Sequence, residues 1–500
     1  MNEERDFENV QDRIARRSGT TENSERQELV DFRYSEMAER VENMVHHLQK
    51  LLQSDVPAPK RPKRHNSQLP NQNGLMYSFL SLILCVVILV FFFGTYTDSF
   101  HYAVDGIAVR LGYKNRQYGV VIDAGSTGSR VLAYEFHKSY LDGRLVLDRE
   151  RFREVKPGLS SFVDNPKEGA SKIALLLDEA KAFIPEPLWS NTPLVLKATA
   201  GLRLLDQNKA DNLLNSVREL FEHSGFLVDE NGVEIMDGTD EGIFSWFTVN
   251  FLLGRLSSGS TVAALDLGGG STQVTFAPKD PRQNPNFENY MHRVPVGQGE
   301  VEVFTNSYLN LGLMAVRHAV FTHGYNKNET KVASECVNPI VKNKIWKYAN
   351  VEYAVSGKDN VKSTIENPVV DFEVCLNSIK KRTLPLVNPK PITLNQLQVI
   401  AFSYFYDRAV ETGMIELGDS GDITVADFYK TAKEICAIPN TDQPFMCLDV
   451  SYMALLLEEG YGLKPQTKIK LFKKIQGHEI SWALGCAYNI LTRLKATSAN

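Results

Sequence analysis

Two nearly repeated stretches decide the fold, and they read Gly119-Val-Val-Ile-Asp-Ala-Gly-Ser-Thr-Gly-Ser-Arg130 and Val262-Ala-Ala-Leu-Asp-Leu-Gly-Gly-Gly-Ser-Thr-Gln273. Each contains an apolar run, an aspartate and a loop of small residues, and a second β-prone run follows, Val131 to Phe136 in the first case and Val274 to Ala277 in the second. The apolar runs predict buried strands, and the loop between them predicts a tight hairpin tip. Glycines allow the backbone to approach a ligand closely and to present successive N–H groups to an anion.

An aspartate precedes each loop, Asp123 in the first stretch and Asp266 in the second. A carboxylate beside a ring of N–H groups would repel a bare phosphate, unless a divalent cation lies between them. The two loops therefore predict two halves of one site that holds a polyphosphate and a metal ion. Aligning the two aspartates places Ser271 opposite Gly128 and Gln273 opposite Arg130, so the loops are similar without being equivalent.

One apolar segment stands apart from the rest of the chain. Residues 76–93 contain no charged residue and no proline, and with their flanks they reach the length of about 20 residues that crosses a bilayer. A signal peptide is the competing interpretation, but the segment begins far from the N-terminus and shows no small-residue cleavage site. Four basic residues lie between positions 60 and 64, whereas no Lys or Arg follows before Arg110. The sequence thus predicts an anchor at 75–96 with a cytosolic N-terminus and a lumenal or extracellular remainder.

The tail before this anchor, residues 1–74, has a heptad pattern. A parallel coiled coil at 28–52 that forms a homodimer is one interpretation, and a solvated amphipathic helix is the other. The polar segment 53–74 indicates a linker, and 97–117 a short stalk. The seam residues are Val30, Tyr34, Met37, Val41, Met44, Leu48 and Leu51.

The cysteines agree with an exported domain. Of the six, Cys85 lies in the predicted anchor and Cys486 near the C-terminus. The other four predict two disulfides, and although three pairings are open we expect sequence neighbours to pair. A glycosylation sequon, Asn328-Glu-Thr330, falls on the predicted lumenal side. The expected pairs are Cys336–Cys375 and Cys436–Cys447.

The rest of the chain alternates between strand and helix patterns, which favours an α/β fold. The net charge of −5 is small and gives no indication of nucleic-acid binding. Helices are predicted over 167–183, 206–222 and 240–253, and strands over 193–196 and 233–236.

Glu241 lies at the start of the third of these helices. An acidic residue in the first helical turn stabilises the helix dipole, which is a sufficient structural explanation. The functional alternative is a general base, because hydrolysis at phosphorus needs a carboxylate within hydrogen-bond reach of the attacking water.

Taken together, these residues resemble the ecto-nucleoside triphosphate diphosphohydrolase (apyrase) family. Motifs in the family's order cover roughly residues 118–492. The resemblance implies an actin-like α/β fold of two ribonuclease-H-like lobes with the active site in the cleft between them. Lobe I would comprise 118–238 and 465–500, and lobe II 239–464. The five motifs are Asp123-Ala-Gly-Ser-Thr-Gly-Ser-Arg130, Lys197-Ala-Thr-Ala-Gly-Leu-Arg203, Met236-Asp-Gly-Thr-Asp-Glu-Gly-Ile-Phe-Ser-Trp246, Ala264-Leu-Asp-Leu-Gly-Gly-Gly-Ser-Thr-Gln273 and Ser481-Trp-Ala-Leu-Gly485.

The resemblance also implies roles for individual residues. Glu241 would be the base that activates water, and Ser271 and Gln273 would position that water. Asp123 and Asp266 would hold Ca²⁺ or Mg²⁺ through its coordinated waters. From the residues alone, turn residues and an exposed arginine are the alternative for the phosphate-binding set. That set is Gly125, Ser126, Thr127, Gly128, Ser129, Arg130, Thr199, Gly268, Gly269 and Gly270.

The single N-terminal anchor, the absence of a C-terminal apolar run and the few cysteines resemble the lumenal nucleoside diphosphatases of the Golgi and endoplasmic reticulum. That subgroup prefers UDP, GDP or IDP over triphosphates and removes the diphosphate product of glycosyltransferases. A surface or secreted form stays open. Tyr406 and Tyr452 are candidates for stacking on the nucleobase, with a place in the core as the alternative.

Other functions would share the two loops. A polyphosphate phosphatase or a kinase of the same fold would do so, although a kinase needs an acceptor site. A catalytically inactive nucleotide-binding scaffold on the membrane is the alternative from a different class, and the intact Glu241 argues against it.

Overall fold

In the computed structural model the described residues are 81–86, 104–108, 110–111, 113, 116–141, 143–256, 259–280, 285–296 and 299–498. The predicted coiled coil and linker lie outside these ranges. Of the predicted anchor only residues 81–86 are described, and they are helical and exposed. Within the described ranges, no helix has both the length and the apolar composition needed to span a bilayer.

The first part of the domain is a five-stranded sheet with the strand order β3-β2-β1-β4-β5. Its first three strands are antiparallel, and the last two run parallel to the first. In chain order the elements are β1 (Arg116–Ala124), β2 (Ser129–Lys138), β3 (Leu145–Val155), α1 (Pro166–Phe183), β4 (Leu194–Ala198), α2 (Ala200–Arg203), α3 (Gln207–Glu222), β5 (Val233–Ile235) and α4 (Gly238–Leu252).

The second part contains a seven-stranded sheet with the order β14-β15-β13-β6-β7-β9-β8. In chain order its elements are β6 (Ala263–Leu267), β7 (Ser271–Phe276), β8 (Met291–Val296), β9 (Gly299–Leu309), α5 (Leu313–Phe321), β10 (Lys331–Ser334), β11 (Lys344–Tyr348), β12 (Val351–Gly357), α6 (Phe372–Thr383), β13 (Val399–Ser403), α7 (Tyr404–Glu411), β14 (Ser420–Thr424), α8 (Val425–Cys436), α9 (Met446–Leu455) and β15 (Lys468–Phe472).

The inner five strands of the second sheet repeat the topology of the first. β6, β7 and β9 are antiparallel neighbours, and β13 and β15 run parallel to β6. The order β9-β7-β6-β13-β15 therefore matches β3-β2-β1-β4-β5, with β8 and β14 added as antiparallel edge strands. The two similar stretches of sequence form the equivalent hairpins β1–β2 and β6–β7.

A layer of two helices lies between the sheets. It consists of α4 and the last helix, α10 (Trp482–Ser498), which follows the short hairpin β16 (Lys474–Ile475) and β17 (His478–Glu479). Trp246 and Trp482 from these helices share one core with Val121 of β1 and Ile400 of β13. The opposite face of β1 packs on α1 and α3, so both faces of the sheet are buried. This double burial explains why the second half of β1 is a continuous apolar run rather than an alternating pattern.

The contact between α4 and α10 leaves no room for a side chain at Gly485. A Cβ there would lie 2.5 Å from the carbonyl oxygen of Phe244. The Gly485 amide donates to Thr248 Oγ1 at 2.9 Å, and that hydroxyl donates to the Ser481 carbonyl at 2.9 Å. The last sequence motif, Ser481–Gly485, is therefore explained by helix packing.

Both predicted disulfides are confirmed, Cys336–Cys375 and Cys436–Cys447. The first connects the segment after β10 to α6, and the second connects α8 to α9. Cys486 is a free, buried thiol, and burial raises its pKa to about 12. Such a thiol stays protonated and is a packing residue rather than a nucleophile.

The predicted α/β class is confirmed, as are the three helices and both strands read from the sequence, with helix ends within two residues. The lobe boundaries at 238/239 and 464/465 stay a prediction. The N-terminal anchor is not confirmed, since most of it lies outside the described residues.

We expect Gly485→Ala to destabilise the domain by about 1–3 kcal/mol, because the added methyl group forces α10 away from the α4 backbone. Thermal unfolding of the full-length protein measures this change. Gly106→Ala is the control, since a Cβ at that helical position meets nothing within 4 Å. Equal melting temperatures for the two variants would contradict the packing argument.

Candidate active site

The two hairpins point their loops at each other. Asp123 pairs with Arg130 across β1–β2, and Asp266 pairs with Gln273 across β6–β7, in agreement with the sequence alignment. A Cβ on Gly269 of the second loop would lie 2.5 Å from Ser126 Oγ of the first. The loops predicted to form two halves of one site are therefore in direct proximity.

Close approach, rather than an unusual backbone conformation, requires the loop glycines. None of them has a positive φ. A Cβ on Gly270 would lie 2.8 Å from Ala200 Cβ, and one on Gly125 would lie 2.9 Å from the Gly128 carbonyl oxygen. Thr199 precedes Ala200 and donates its amide to the Ala124 carbonyl at 3.2 Å, so it lies beside the first loop.

The N-terminus of α5 fixes the orientation of the second loop. The carbonyls of Gly268 and Gly269 accept bonds from the amides of Leu313 and Met314, both at 2.9 Å. In a trans peptide the next N–H points opposite to the carbonyl. The amides of Gly269 and Gly270 therefore point away from α5, as an anion-binding loop requires.

Three buried carboxylates lie around these loops. Asp123, Asp266 and Glu241 are each less than one-tenth exposed. Burial raises the pKa of Glu241 to about 7 against the opposing effect of Arg203, and the charges of Asp266 and Asp123 add to the rise. Burial likewise raises the pKa of Asp266 to about 6, and that of Asp123 rises for the same reason. Neighbouring carboxylates that raise each other's pKa form a site prepared for positive charge.

Glu241 is held by α4 on one side and by an arginine on the other. Asp237 caps the helix by accepting the Thr239 amide at 2.7 Å. Arg203, at the end of α2, donates to Glu241 Oε2 at 2.7 Å and to the Met236 carbonyl at 2.8 Å. Sequence reasoning assigned no role to Arg203, although it ends the Lys197–Arg203 motif.

Gln273 points toward the same space. Its Nε2 donates to Ser271 Oγ at 2.9 Å and to Ser307 Oγ at 2.8 Å. Its Oε1 is buried and has no hydrogen-bond partner. A buried acceptor of this kind is suited to accept a hydrogen bond from a bound water molecule.

Arg130 forms ion pairs with two carboxylates instead of extending freely into the cleft. It contacts Asp123 Oδ2 at 3.2 Å and Glu154 Oε1 at 2.7 Å. Glu154, on β3, was missed because nothing in its local sequence marks it. Its partner Arg130 is still one-third exposed and can reach an anion between the loops.

The stacking role predicted for Tyr406 and Tyr452 is contradicted. Tyr452 is fully buried with its hydroxyl bonded to the Leu311 carbonyl, and Tyr406 is 3% exposed with its hydroxyl bonded to the Gly418 carbonyl. Neither ring has a free face of useful area for a nucleobase. The core alternative applies because α7 and α9 turn these side chains inward.

Two neighbours of Tyr406 do reach the site. The Ser403 hydroxyl faces Asp266 and opposes the rise of its pKa. Ser403 has φ +57°, a strained conformation for a non-glycine residue, which often accompanies a functional position. Tyr404 is close enough to Arg130 to influence the pKa of that guanidinium. Sequence patterns do not reveal a strained φ, so Ser403 could not have been identified.

The site fits a hard divalent cation bound partly through water. Asp123 Oδ1 is buried without a hydrogen-bond partner, and the donors offered around it are carboxylate oxygens. Mg²⁺ and Ca²⁺ prefer such oxygens, and Mg²⁺ usually retains several waters. Across the described part of the chain, no three Asp, Glu, His or Cys side chains converge closely enough to enclose an ion directly.

Residues 110–499 match the model of the GDA1/CD39 (nucleoside phosphatase) family. The human nucleoside diphosphate phosphatase ENTPD5 is 40% identical over 390 residues, which are 75% of this chain and 88% of that protein. Human ectonucleoside triphosphate diphosphohydrolase 6 is 39% identical over 386 residues, 75% of this chain and 78% of that protein.

A crystal structure of nucleoside triphosphate hydrolases from Neospora caninum has the same fold. It superposes with a TM-score of 0.54 and covers 79% of this chain and 97% of its own, at 15% sequence identity. Similarity at that identity supports the fold alone. It agrees with the actin-like arrangement expected from the sequence.

The buried carboxylates predict that the metal-free protein loses stability as the pH rises. The folded protein holds a proton on Glu241 up to about pH 7, whereas an ordinary glutamate releases it near 4.5. Stability therefore falls between these values, by up to roughly 3 kcal/mol from Glu241. Unfolding of full-length protein in EDTA at pH 5 and pH 8 should show a smaller difference for Glu241→Gln than for wild type.

Glu168→Gln is the control for this titration. Glu168 also lies in a first helical turn, that of α1, but is exposed. Its variant should keep the wild-type pH dependence. The same dependence in Glu241→Gln would show that Glu241 does not have a raised pKa.

Proposed function

The chain belongs to the GDA1/CD39 (nucleoside phosphatase) family, and we propose that it hydrolyses the terminal phosphate of nucleoside diphosphates in a metal-dependent reaction. It is an enzyme, a nucleoside diphosphatase. The observation that carries the mechanism is the placement of Glu241. A buried carboxylate with a pKa near 7 lies beside two opposed phosphate-type loops, which is the arrangement a general base needs.

In this mechanism Glu241 accepts a proton from water while the water oxygen bonds to the terminal phosphorus. The bond from that phosphorus to the bridging oxygen breaks, and the nucleoside monophosphate leaves. Gln273 Oε1 and Ser271 orient the water, and Arg203 keeps the Glu241 carboxylate in place. The loop amides of Ser126–Ser129 and Gly268–Gly270, with Thr199, bind the phosphate oxygens.

Asp123 and Asp266 would hold Ca²⁺ or Mg²⁺, mainly through coordinated waters. When bound, the cation neutralises the phosphate oxygens and makes the phosphorus more electrophilic. We propose UDP, GDP and IDP as preferred substrates over triphosphates, which rests on the resemblance to the lumenal subgroup.

We further propose a setting for the reaction. The anchor at 75–96 would place the catalytic domain in the lumen of the Golgi or endoplasmic reticulum, with the tail cytosolic. A coiled coil at 28–52 would form a homodimer beneath the membrane. The oxidised cysteine pairs support an exported domain.

Glu241→Gln should lower kcat for UDP and GDP by about 10²–10⁴-fold with little change in KM, since the amide cannot accept the proton. Phosphate release by the full-length protein measures this, with Glu168→Gln as the control. Chelation should abolish wild-type activity, and Ca²⁺ or Mg²⁺ should restore it.

Three outcomes would contradict this mechanism in different ways. Full activity of Glu241→Gln would exclude Glu241 as the base. Activity that survives chelation would exclude the metal. No release from any nucleotide would favour the inactive scaffold, and release from polyphosphate alone would favour the polyphosphate phosphatase.

The proposed topology predicts a glycan on Asn328, which lies in an exposed turn. Endoglycosidase should increase the mobility of wild-type protein from microsomes and leave Asn328→Gln unchanged. An N-terminal epitope should be digested by protease added to sealed microsomes, while the catalytic domain is protected. Protection of the epitope would reverse the orientation.

A further inference from the structure

An ion pair between Asp407 and Lys473 stands out because it joins two elements near the cleft without a structural reason. Lys473 Nζ lies 3.3 Å from Asp407 Oδ1, and the side chains are 48% and 36% exposed. Exposed pairs of this kind contribute only about 0–1 kcal/mol to stability. The packing of the fold therefore does not depend on this pair.

Asp407 lies one helical turn beyond the metal side of the cleft. α7 begins directly after Ser403, whose hydroxyl faces Asp266. Asp407 lies in the first turn of this helix, four residues after Ser403, and at the helical rise per residue that separation is about 6 Å along the axis. That offset is suited to the nucleoside of a substrate whose phosphates lie between the loops.

Lys473 reaches the same region from a different element. It follows β15 and lies close enough to Arg130 and Glu479 for their charges to influence its pKa. Burial alone would lower that pKa, but Asp407 and Glu479 raise it, so the ammonium stays charged. Its Nζ also lies over the ring of Tyr406, 6.0 Å from the ring centroid, so the buried tyrosine supports the lysine.

Asp407 and Lys473 place a hydrogen-bond acceptor and a hydrogen-bond donor side by side. The Asp407 carboxylate is an acceptor only, and the Lys473 ammonium is a donor only. Uracil, guanine and hypoxanthine each have an amide-type edge in which a ring N–H lies next to a carbonyl oxygen. Cytosine and adenine have the reverse pattern, a ring nitrogen lone pair next to an amino group.

We propose that Asp407 and Lys473 select the nucleobase, with Asp407 accepting the ring N–H and Lys473 donating to the adjacent carbonyl oxygen. This inference rests on the proposed nucleoside diphosphatase function and gives a physical reason for a preference for UDP, GDP and IDP. A cytosine or adenine in the same pose would place a lone pair against the carboxylate. A site that hydrogen-bonds one pattern rejects its reverse because polar groups are left unpaired.

The test compares kcat/KM for UDP, GDP, CDP and ADP in full-length protein. We expect wild type to favour UDP over CDP by roughly 10–100-fold. Asp407→Asn, which adds an N–H donor, should reduce that ratio at least tenfold. The double variant Asp407→Lys, Lys473→Asp keeps the ion pair but exchanges donor and acceptor, and it should favour CDP and ADP.

A matched control is available in Lys380 and Glu459, an ion pair with nearly equal exposures of 47% and 35%. The exchange Lys380→Glu, Glu459→Lys should leave all four substrates unchanged. A purely structural effect of the Asp407 variants would lower all four values alike, and an unchanged ratio of UDP to CDP would overturn the proposal.

Calorimetric binding of UMP and CMP separates this inference from the proposed function, because it needs no turnover. If wild type hydrolyses no nucleotide, the proposed function fails. Tighter binding of UMP that is reversed in the double variant would still support base selection. Equal affinities for UMP and CMP in wild type would overturn it.

Discussion

The site depends on a helix–sheet contact that only glycine permits. A Cβ on Gly242 of α4 would overlap the hydroxyl of Thr305, and one on Gly238 would lie 2.5 Å from Ser307 Cβ. The first turn of α4 can therefore lie directly on β7 and β9. This contact brings Glu241 into the electrostatic range of Asp266, and Gly485 holds the other side of α4 against α10.

The two sheets have the same strand topology, and the differences between their equivalent hairpins determine the chemistry of the site. The hairpins β1–β2 and β6–β7 place Asp123 and Asp266 at equivalent positions. Opposite them stand Arg130, which carries charge, and Gln273, which carries a buried unpaired acceptor. One copy is thus suited to hold phosphate and the other to position water. Two identical loops would bind an anion, but they would not determine from which side water attacks the phosphorus.

Burial raises the pKa of the carboxylates in the site, and it also lowers the stability of the metal-free protein when these groups ionise. The carboxylates of Asp123, Asp266 and Glu241 are kept from water by the same packing that orients them, so each has a raised pKa. Natural proteins often retain such strain at functional sites. Asp407 and Lys473 lie at a solvated edge of the cleft. Charged side chains keep most of their hydration there, and they can be used to distinguish ligands.

The sequence alone determined the features that depend on local patterns: the strands, the loop aspartates and the α/β class. It left three disulfide pairings open, and the structure decided between them. The sequence failed for Tyr406 and Tyr452, because an aromatic residue in a helix has the same sequence signature in the core as beside a ligand. Arg203, Ser403, Glu154 and Lys473 were decided by tertiary structure, since their partners lie on other elements. Local sequence patterns specify which face of a helix or strand is buried. Only the packed chain specifies which residues of other elements contact that face.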